Sequence, residues 1–250
     1  MSASFTPLIA ATLAFVIGHL VLSAAPVRAA LTGALGRMGF LAGYSLYAIA
    51  TFVWMNKAFT RAPFEDLWGD PAWARWLAVA VMPLASTLLA AGVTTANPAA
   101  LGFEKLMAAN RIRAALGQPP GPQPPGIQPV GIQKVTRHPV LWAIALWAAL
   151  HLAANGDLAA LIFFGGILVL SLAGMVHMEA RKRAEPGDAW TRFAERSSLI
   201  PFAGIVQGRV RLSPGEIGWG RIAAGLILYL VFLFGHRVVI GVPPLPWLAG

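Results

Sequence analysis

The sequence contains no cysteine, and only 12% of its 250 residues are charged. The lack of cysteine excludes disulfide bonds, thiolate metal sites and a cysteine nucleophile. The small charged fraction, beside 57% hydrophobic residues, leaves too few polar side chains to cover a water-soluble domain. Signatures of the P-loop, HExxH and GxSxG types are also missing from the chain. These absences indicate a protein whose main solvent is lipid.

Apolar stretches close to the length that crosses a bilayer, roughly 20 residues at 1.5 Å per residue, recur along the chain. A cleaved signal at the amino terminus would explain only the first of them. The sequence therefore predicts an all-α, polytopic membrane protein with a single transmembrane domain over residues 1–250. The six predicted spans cover residues 5–25, 38–55, 73–93, 138–155, 157–178 and 219–239. Asn155, Gly156 and Asp157 suit a tight turn and predict a hairpin of the fourth and fifth spans.

Lysine and arginine are unevenly distributed among the connections between these spans. Fifteen of the 19 lie in the first, third and fifth connections. Because basic residues are retained in the cytoplasm, these connections are predicted to be cytoplasmic and both termini non-cytoplasmic. The expected location is the inner (plasma) membrane, with the lipid bilayer as partner. The net charge of +9 then reflects topology, and no nucleic-acid partner is predicted.

The third connection contains two stretches of unusual composition, both predicted to be cytoplasmic. Residues 101–116 place several apolar side chains on one helical face, which is compatible with a helix on the membrane surface or with an unstructured linker. Residues 119–129 include six prolines and predict an extended, polyproline-like linker.

The five histidines are the remaining candidates for a buried site. His138, His177 and His236 lie near the ends of predicted spans, from which their side chains reach the interface. His19 and His151 are deeper, each about 20 Å from the first residue of its span at 1.5 Å per residue. An imidazole at that depth needs a partner. It either ligates a haem iron or donates a hydrogen bond to a neighbouring carbonyl.

Two groups of residues carry a resemblance to a known family. The first group belongs to the first two spans and the connection between them: His19, Arg28, Arg37, Gly43, Tyr44 and Ser45. The second group forms the predicted hairpin: Arg137, His138, Pro139, Trp142, Trp147, His151, Asn155, Gly156 and Asp157. Over about residues 5–202 the chain resembles the NnrU family of bacterial membrane proteins, which is associated by name with nitrite and nitric oxide reduction. That family is similar to the plant zeta-carotene isomerases, which use haem b with histidine axial ligands.

The resemblance implies a haem b cofactor whose iron is ligated by His19 and His151. It also implies either a haem-dependent cis-trans isomerase acting on a hydrophobic polyene or a redox protein of nitrogen-oxide metabolism and denitrification. One position departs from the isomerases, because Ala148 stands where they have a cysteine one turn before the later histidine. Exchange of histidine for thiolate on the iron is therefore unavailable, and isomerisation is in doubt.

Several other residues are candidates for contacts with the cofactor. A guanidinium pairs with a carboxylate through two hydrogen bonds, so an arginine at the cytoplasmic side can bind a haem propionate. The same arginines also fit the ordinary excess of basic residues on that side. The cofactor-binding candidates are Arg28, Arg37, Arg137, His138 and Tyr44.

A second resemblance supports a different class of protein. It is carried by Arg137, His138, Pro139, Glu179, Arg183, Gly187, Trp190, Phe193 and Pro201. This pattern is similar to the carboxy-terminal part of the isoprenylcysteine carboxyl methyltransferases, where it contributes to a site for S-adenosylmethionine. Their paired glutamates are reduced here to Glu179. A third class, a non-catalytic membrane assembly or interaction protein, needs no cofactor, so haem in the purified protein would argue against it.

Overall fold

The computed structural model describes residues 4–98, 128–184 and 189–245. The predicted surface helix at 101–116 and most of the proline-rich stretch 119–129 lie outside the described residues. Gly187, which belongs to the methyltransferase-like pattern, lies outside them as well.

Long apolar helices dominate the described residues, which confirms an all-α, polytopic membrane protein. The six long helices are α1 (Thr6–Ser23), α2 (Ala25–Phe59), α3 (Ala72–Thr94), α4 (Pro139–Ala154), α5 (Leu158–Arg183) and α9 (Trp219–Val239). Each overlaps one predicted span. Five of them, within the described residues, are long and apolar enough to cross a membrane, whereas α4 has 16 residues and is shorter. The remaining helices of the described residues are a 3-10 helix (Gly131–Lys134), α6 (Ala189–Glu195), α7 (Ala203–Val206) and α8 (Pro214–Ile217).

Helices α1 and α2 pack against each other, and α2 contains a sharp break. Gly36 has a φ of 69°, a backbone conformation that glycine adopts without the penalty of a Cβ atom. The second predicted span therefore corresponds to residues 37–59, preceded by a separate helical segment at 25–35. The Tyr47 hydroxyl donates a hydrogen bond to the Ala14 carbonyl at 2.6 Å. This bond ties the later part of α2 to α1.

The predicted hairpin of the fourth and fifth spans is present, with an addition. Between α4 and α5, strand β2 (Gly156–Asp157) pairs antiparallel with β1 (Asp66–Gly69), which lies between α2 and α3. A Cβ atom at Gly156 would overlap the backbone of Gly69, so this approach requires a glycine. The residues of this turn thus pair with the connection between α2 and α3. This pairing was not predicted from the sequence.

Contacts between residues divide the chain into two compact units. The first comprises Met1–Val81, Ile144–His177 and Pro243–Gly250, and the second comprises Met82–Ala143 and Met178–Val242. The core of the first unit includes Leu8, Ala11, Met55, Ala58, Ala148, Ala160, Phe163 and Phe164. In the second unit Trp190 and Phe193 form a small buried cluster. The single transmembrane domain stays a prediction.

Within the first unit, α1 and α5 run in the same direction and keep the same register. Thr12 packs directly on Gly166, where an added Cβ atom would overlap the threonine methyl group. Further along, the Ser23 carbonyl accepts a hydrogen bond from Nε2 of His177 at 3.0 Å. Both contacts join residues 154 positions apart. A residue of α1 therefore lies at the same level, that is, at the same height along the helix axes, as the residue of α5 whose number is 154 higher.

Candidate functional site

His19 lies in α1 with one ring nitrogen held by its own helix. Its Nδ1 donates a hydrogen bond to the Phe15 carbonyl at 2.5 Å. In a neutral ring the lone pair is then on Nε2, which is the nitrogen that most often ligates a metal. Metal-ligating histidines usually tie the other nitrogen to a carbonyl or carboxylate in this way. His19 therefore has the ring orientation of a ligand.

Aromatic rings connect His19 to one of the predicted arginines. The Tyr44 ring meets the His19 ring edge-on, with centroids 5.4 Å apart, and the Phe40 ring lies 5.9 Å from Tyr44. The Arg28 guanidinium is 5.2 Å from the centre of the Phe40 ring. Arg37 directly follows the break at Gly36. The structure thus brings His19, Tyr44 and Arg28 into one chain of contacts.

His151 lies in α4 and repeats the arrangement of His19. Its Nδ1 donates to the Trp147 carbonyl at 2.8 Å. The ring stacks on Phe164, with centroids 5.1 Å apart and planes inclined by 29°. Both deep histidines therefore make the hydrogen bond to a carbonyl that was one of their two predicted roles.

The two deep histidines differ in level within the first unit. His19 follows Thr12 by seven residues, which moves it about 10 Å along α1 beyond the Thr12–Gly166 contact. His151 stacks on Phe164, about 3 Å away from that contact in the opposite direction at 1.5 Å per residue. Two imidazoles on one iron bring their ligating nitrogens within about 4 Å, since each bond is about 2 Å long. In this arrangement His19 and His151 differ by about 13 Å in position along the helix axes. Their pairing on one haem iron stays a prediction.

A buried charged centre lies in the second unit, around the carboxylate of Glu179. Its Oε1 accepts hydrogen bonds from Nε of Arg137 at 2.5 Å and from Nε2 of His138 at 2.8 Å. Its Oε2 accepts from Nη2 of Arg137 at 3.0 Å and from Nη2 of Arg183 at 3.3 Å. A carboxylate has about four acceptor positions. This carboxylate has all of them occupied.

The surroundings hold this centre rigidly. The Arg137 N–H donates to the Ser198 carbonyl, and the Arg137 carbonyl accepts from the side chain of Asn97, both at 2.9 Å. The Trp190 ring lies 6.5 Å from the His138 ring. The charged centre therefore joins Arg137 and His138, which precede α4, to the last turns of α5.

The prediction that His138 is an interfacial side chain was wrong. The residue is 3% exposed and donates to Glu179. A buried imidazole needs a partner, and the charged carboxylate supplies a stronger one than water at an interface. Sequence reasoning named Arg137, His138 and Glu179 but missed their contact. The usable signal was the hairpin, because these residues lie at comparable distances on either side of the Asn155–Asp157 turn.

Comparison with known proteins agrees with the resemblance that the motifs suggested. Among the described residues, no three His, Asp or Glu side chains form a group that could hold a metal ion. Searches of curated proteins and of solved structures found no match. The sequence profile of the family described as NnrU protein matches residues 7–244, nearly the whole chain. The chain therefore belongs to the NnrU family.

Proposed function

We propose that this membrane protein binds haem b in its first unit, where His19 would be a ligand of the iron. The observation that carries the proposal is the hydrogen bond from Nδ1 of His19 to the Phe15 carbonyl. It fixes the ring within an apolar helix pair and leaves Nε2 as the ligating nitrogen. When bound, haem b supplies one-electron transfer and coordination of small ligands at its iron.

The residues around His19 have separate tasks in this proposal. Tyr44 packs edge-on against the imidazole and limits its rotation. Arg28 and Arg37 would pair with the haem propionates, because a guanidinium donates two parallel hydrogen bonds to a carboxylate. We assign no haem contact to Arg137 or His138, since both donate to Glu179.

A redox or sensing role suits this chain better than isomerisation. Ala148 is fully buried in the apolar core, and the chain has no cysteine that could replace a histidine on the iron. A reaction that depends on exchange between imidazole and thiolate is therefore unavailable to it. Isomerisation of a hydrophobic polyene by another route stays a prediction.

The methyltransferase alternative gains little from the charged centre. Glu179 holds four hydrogen bonds from protein donors, so it has no acceptor left for the ammonium group of S-adenosylmethionine. We expect isothermal titration to detect no S-adenosylmethionine binding at physiological concentrations. Binding that Glu179→Gln or Arg137→Ala weakens would support the methyltransferase class instead.

An absorption spectrum of the detergent-purified protein, expressed with ample haem, tests the haem proposal. We expect a haem b spectrum in the wild type and its loss or conversion to another spin state in His19→Ala. His236→Ala is the matched control, because His236 belongs to the second unit and its Nδ1 donates to the Val242 carbonyl. A wild type without haem, or a His19→Ala protein with an unchanged spectrum, would favour the assembly-protein class.

We also propose that both termini are non-cytoplasmic, as the 15 to 4 division of basic residues indicates. Reporter fusions after Arg37, within 119–129 and after Arg192 should report the cytoplasm. A fusion after Asp66 should report the opposite side. If all four fusions report the same side, this orientation is wrong.

A further inference from the structure

We propose that residues 197–213, between α6 and α8 of the second unit, form an anchor in the membrane interface that binds anionic lipid headgroups. The segment lies outside every predicted span. Three large apolar side chains are nevertheless exposed within seven consecutive residues: Ile200 is 62% exposed, Phe202 40% and Val206 84%. Exposed apolar groups that are clustered in this way mark surfaces that contact another apolar phase. The proposal does not depend on haem binding.

The backbone at Phe202 holds an aromatic side chain in an unfavourable conformation. Its φ of 63° lies in the left-handed region, which favours glycine and disfavours bulky residues. The Phe202 N–H donates to the Val135 carbonyl at 2.9 Å, and its carbonyl accepts from the N–H groups of Ile205 and Val206 at 3.0 Å. These hydrogen bonds impose the conformation. A ring that is kept at such a position, and is partly exposed there, favours a role for this side chain at the surface.

The backbone of the segment has the hydrogen bonds that contact with lipid requires. A carbonyl that leaves water must find a donor within the protein, whereas a loop in water does not need one. The four consecutive carbonyls of residues 197–200 all accept hydrogen bonds of 2.7 to 2.9 Å from the protein. Their donors are, in order, Nη1 of Arg209, the N–H of Arg137, Oγ1 of Thr136 and Oγ of Ser198.

The segment lies at the height at which the apolar helix α4 begins. Trp142 belongs to the first turn of α4, and its Nε1 donates to the Leu199 carbonyl at 2.8 Å. That turn, residues 139–142, contains apolar residues alone. Further along the segment, the Arg211 carbonyl accepts from Nζ of Lys134, which precedes α4, at 2.9 Å. Because tryptophan favours the boundary between lipid and water, these contacts place the segment at the membrane interface.

The charge of the segment selects anionic lipids. It contains Arg209 and Arg211, both exposed, and no acidic residue. Nη1 of Arg209 donates to the carbonyls of Glu195 and Ser197, and its Nε donates to Oε1 of Gln207 at 2.8 Å. These acceptors are neutral and do not compensate the charge of the guanidinium. Apolar side chains beside arginines match the interface of a leaflet that contains anionic phospholipids.

Spin labelling of the full-length protein tests the insertion, because the chain has no cysteine and one introduced cysteine takes one nitroxide. Val206→Cys is labelled and reconstituted into vesicles of phosphatidylcholine with phosphatidylglycerol. We expect frequent collisions of the label with oxygen, which concentrates in lipid, and few with neutral nickel ethylenediaminediacetate, which stays in water. Glu195→Cys, the matched control at an exposed charged position, should show the reverse.

Two results of this experiment would overturn the proposal. One is that the label at Val206 collides with the nickel complex as often as the label at Glu195. The other is an immobilised label at Val206 that is shielded from both reagents, because this would place the side chain against protein and not against lipid.

The role of the arginines is tested with the same Val206→Cys label in two kinds of vesicle. In phosphatidylcholine alone the label should collide with the nickel complex more often than in vesicles that also contain phosphatidylglycerol. Arg211→Gln should reduce this difference, whereas Arg61→Gln, which removes an exposed arginine of the first unit, should leave it unchanged. Equal shielding in the two kinds of vesicle would overturn the binding of anionic headgroups.

Discussion

The deep histidines of the first unit and the buried carboxylate of the second unit have their polar groups satisfied in opposite ways. In the first unit, His19 and His151 each donate to the carbonyl four residues earlier in the same helix. In the second unit, Glu179 is surrounded by charged and imidazole donors from three other residues. The first arrangement is local and neutral, whereas the second joins distant parts of the chain through ionised groups.

This contrast indicates which region is suited to ligand chemistry. A helix carbonyl engages one nitrogen of a histidine and leaves the other in the form that ligates a metal. The carboxylate of Glu179 has no acceptor position left. The contrast therefore supports the proposal of a cofactor site in the first unit and of a mainly stabilising role for the charged centre of the second.

The largest loss of stability is expected when the charged centre loses the carboxylate of Glu179. Glu179→Gln leaves the Arg137 guanidinium, whose side chain is 8% exposed, without a compensating charge. Breaking a buried pair in this way should lower the free energy of unfolding by about 3–5 kcal/mol. Denaturant titration in detergent, followed by circular dichroism, measures the loss.

The control for this substitution is Arg183→Ala in the same network. The Arg183 side chain is 66% exposed, so its removal should cost no more than about 1 kcal/mol. Equal losses in the two variants would show that the centre is not the buried, closed network described above.

A smaller effect is expected where α1 meets α5 in the first unit. Gly166→Ala forces a Cβ atom into the Thr12 methyl group and should destabilise the protein by about 1–3 kcal/mol. Gly165→Ala is the matched control, because a Cβ atom there would meet only Leu161 at 3.9 Å. The same titration measures both. An equal response of the two variants would contradict the register on which the levels of the histidines depend.

The imidazole of His19 should contribute less to the free energy of unfolding than the Glu179 network or the Thr12–Gly166 contact. In haem-free protein, His19→Phe removes a neutral hydrogen bond to the Phe15 carbonyl and should change the free energy of unfolding by about 1 kcal/mol. A loss as large as that of Glu179→Gln would erase the contrast between the two units. Such a result would assign His19 a mainly structural role.

The smallest effect concerns an exposed ion pair of the second unit. A hydrogen bond from Lys134 is the main cause that lowers the pKa of the Glu216 carboxyl below its ordinary value of 4.5. Because the folded pKa is the lower one, the pair stabilises the protein above pH 4.5, and this contribution is lost as the pH falls through the folded pKa. Glu216→Gln should therefore be slightly less stable than wild type at pH 7, with a smaller difference at pH 3.

The same substitution in a Lys134→Met background is the control for this pH dependence. Without the ammonium group, the pH-dependent part of the Glu216→Gln effect should become smaller, and the backbone hydrogen bond from Ser213 accounts for what remains. Unfolding titrations at the two pH values measure both differences. An undiminished difference in that background would show that Lys134 is not the main cause of the lowered pKa of Glu216.

The helical spans could be predicted because their signal is local. A run of apolar residues near the bilayer thickness needs no knowledge of its neighbours, and the last predicted span coincides with α9 (Trp219–Val239). The helical segment at 25–35 was not predicted, because it is shorter than a span and its sequence was assigned to a connection. The observed φ of 69° at Gly36 separates it from the helix that forms the second span. Helix α5 continues to Arg183, beyond the predicted end at residue 178, because Glu179 and Arg183 pair within its last turn.

The class of protein, the approximate spans and the family could be predicted from the sequence, because these depend on composition, apolar length and local motifs. The sequence also selected His19 by its depth within one helix. Which residues lie at the same height along neighbouring helices depends on the packing of the folded chain. Register between helices depends on side chains that meet across them, such as Thr12 on Gly166. For the same reason, the enclosure of Glu179 by Arg137 and His138, and the proximity of His177 to the end of α1, follow from packing between distant segments.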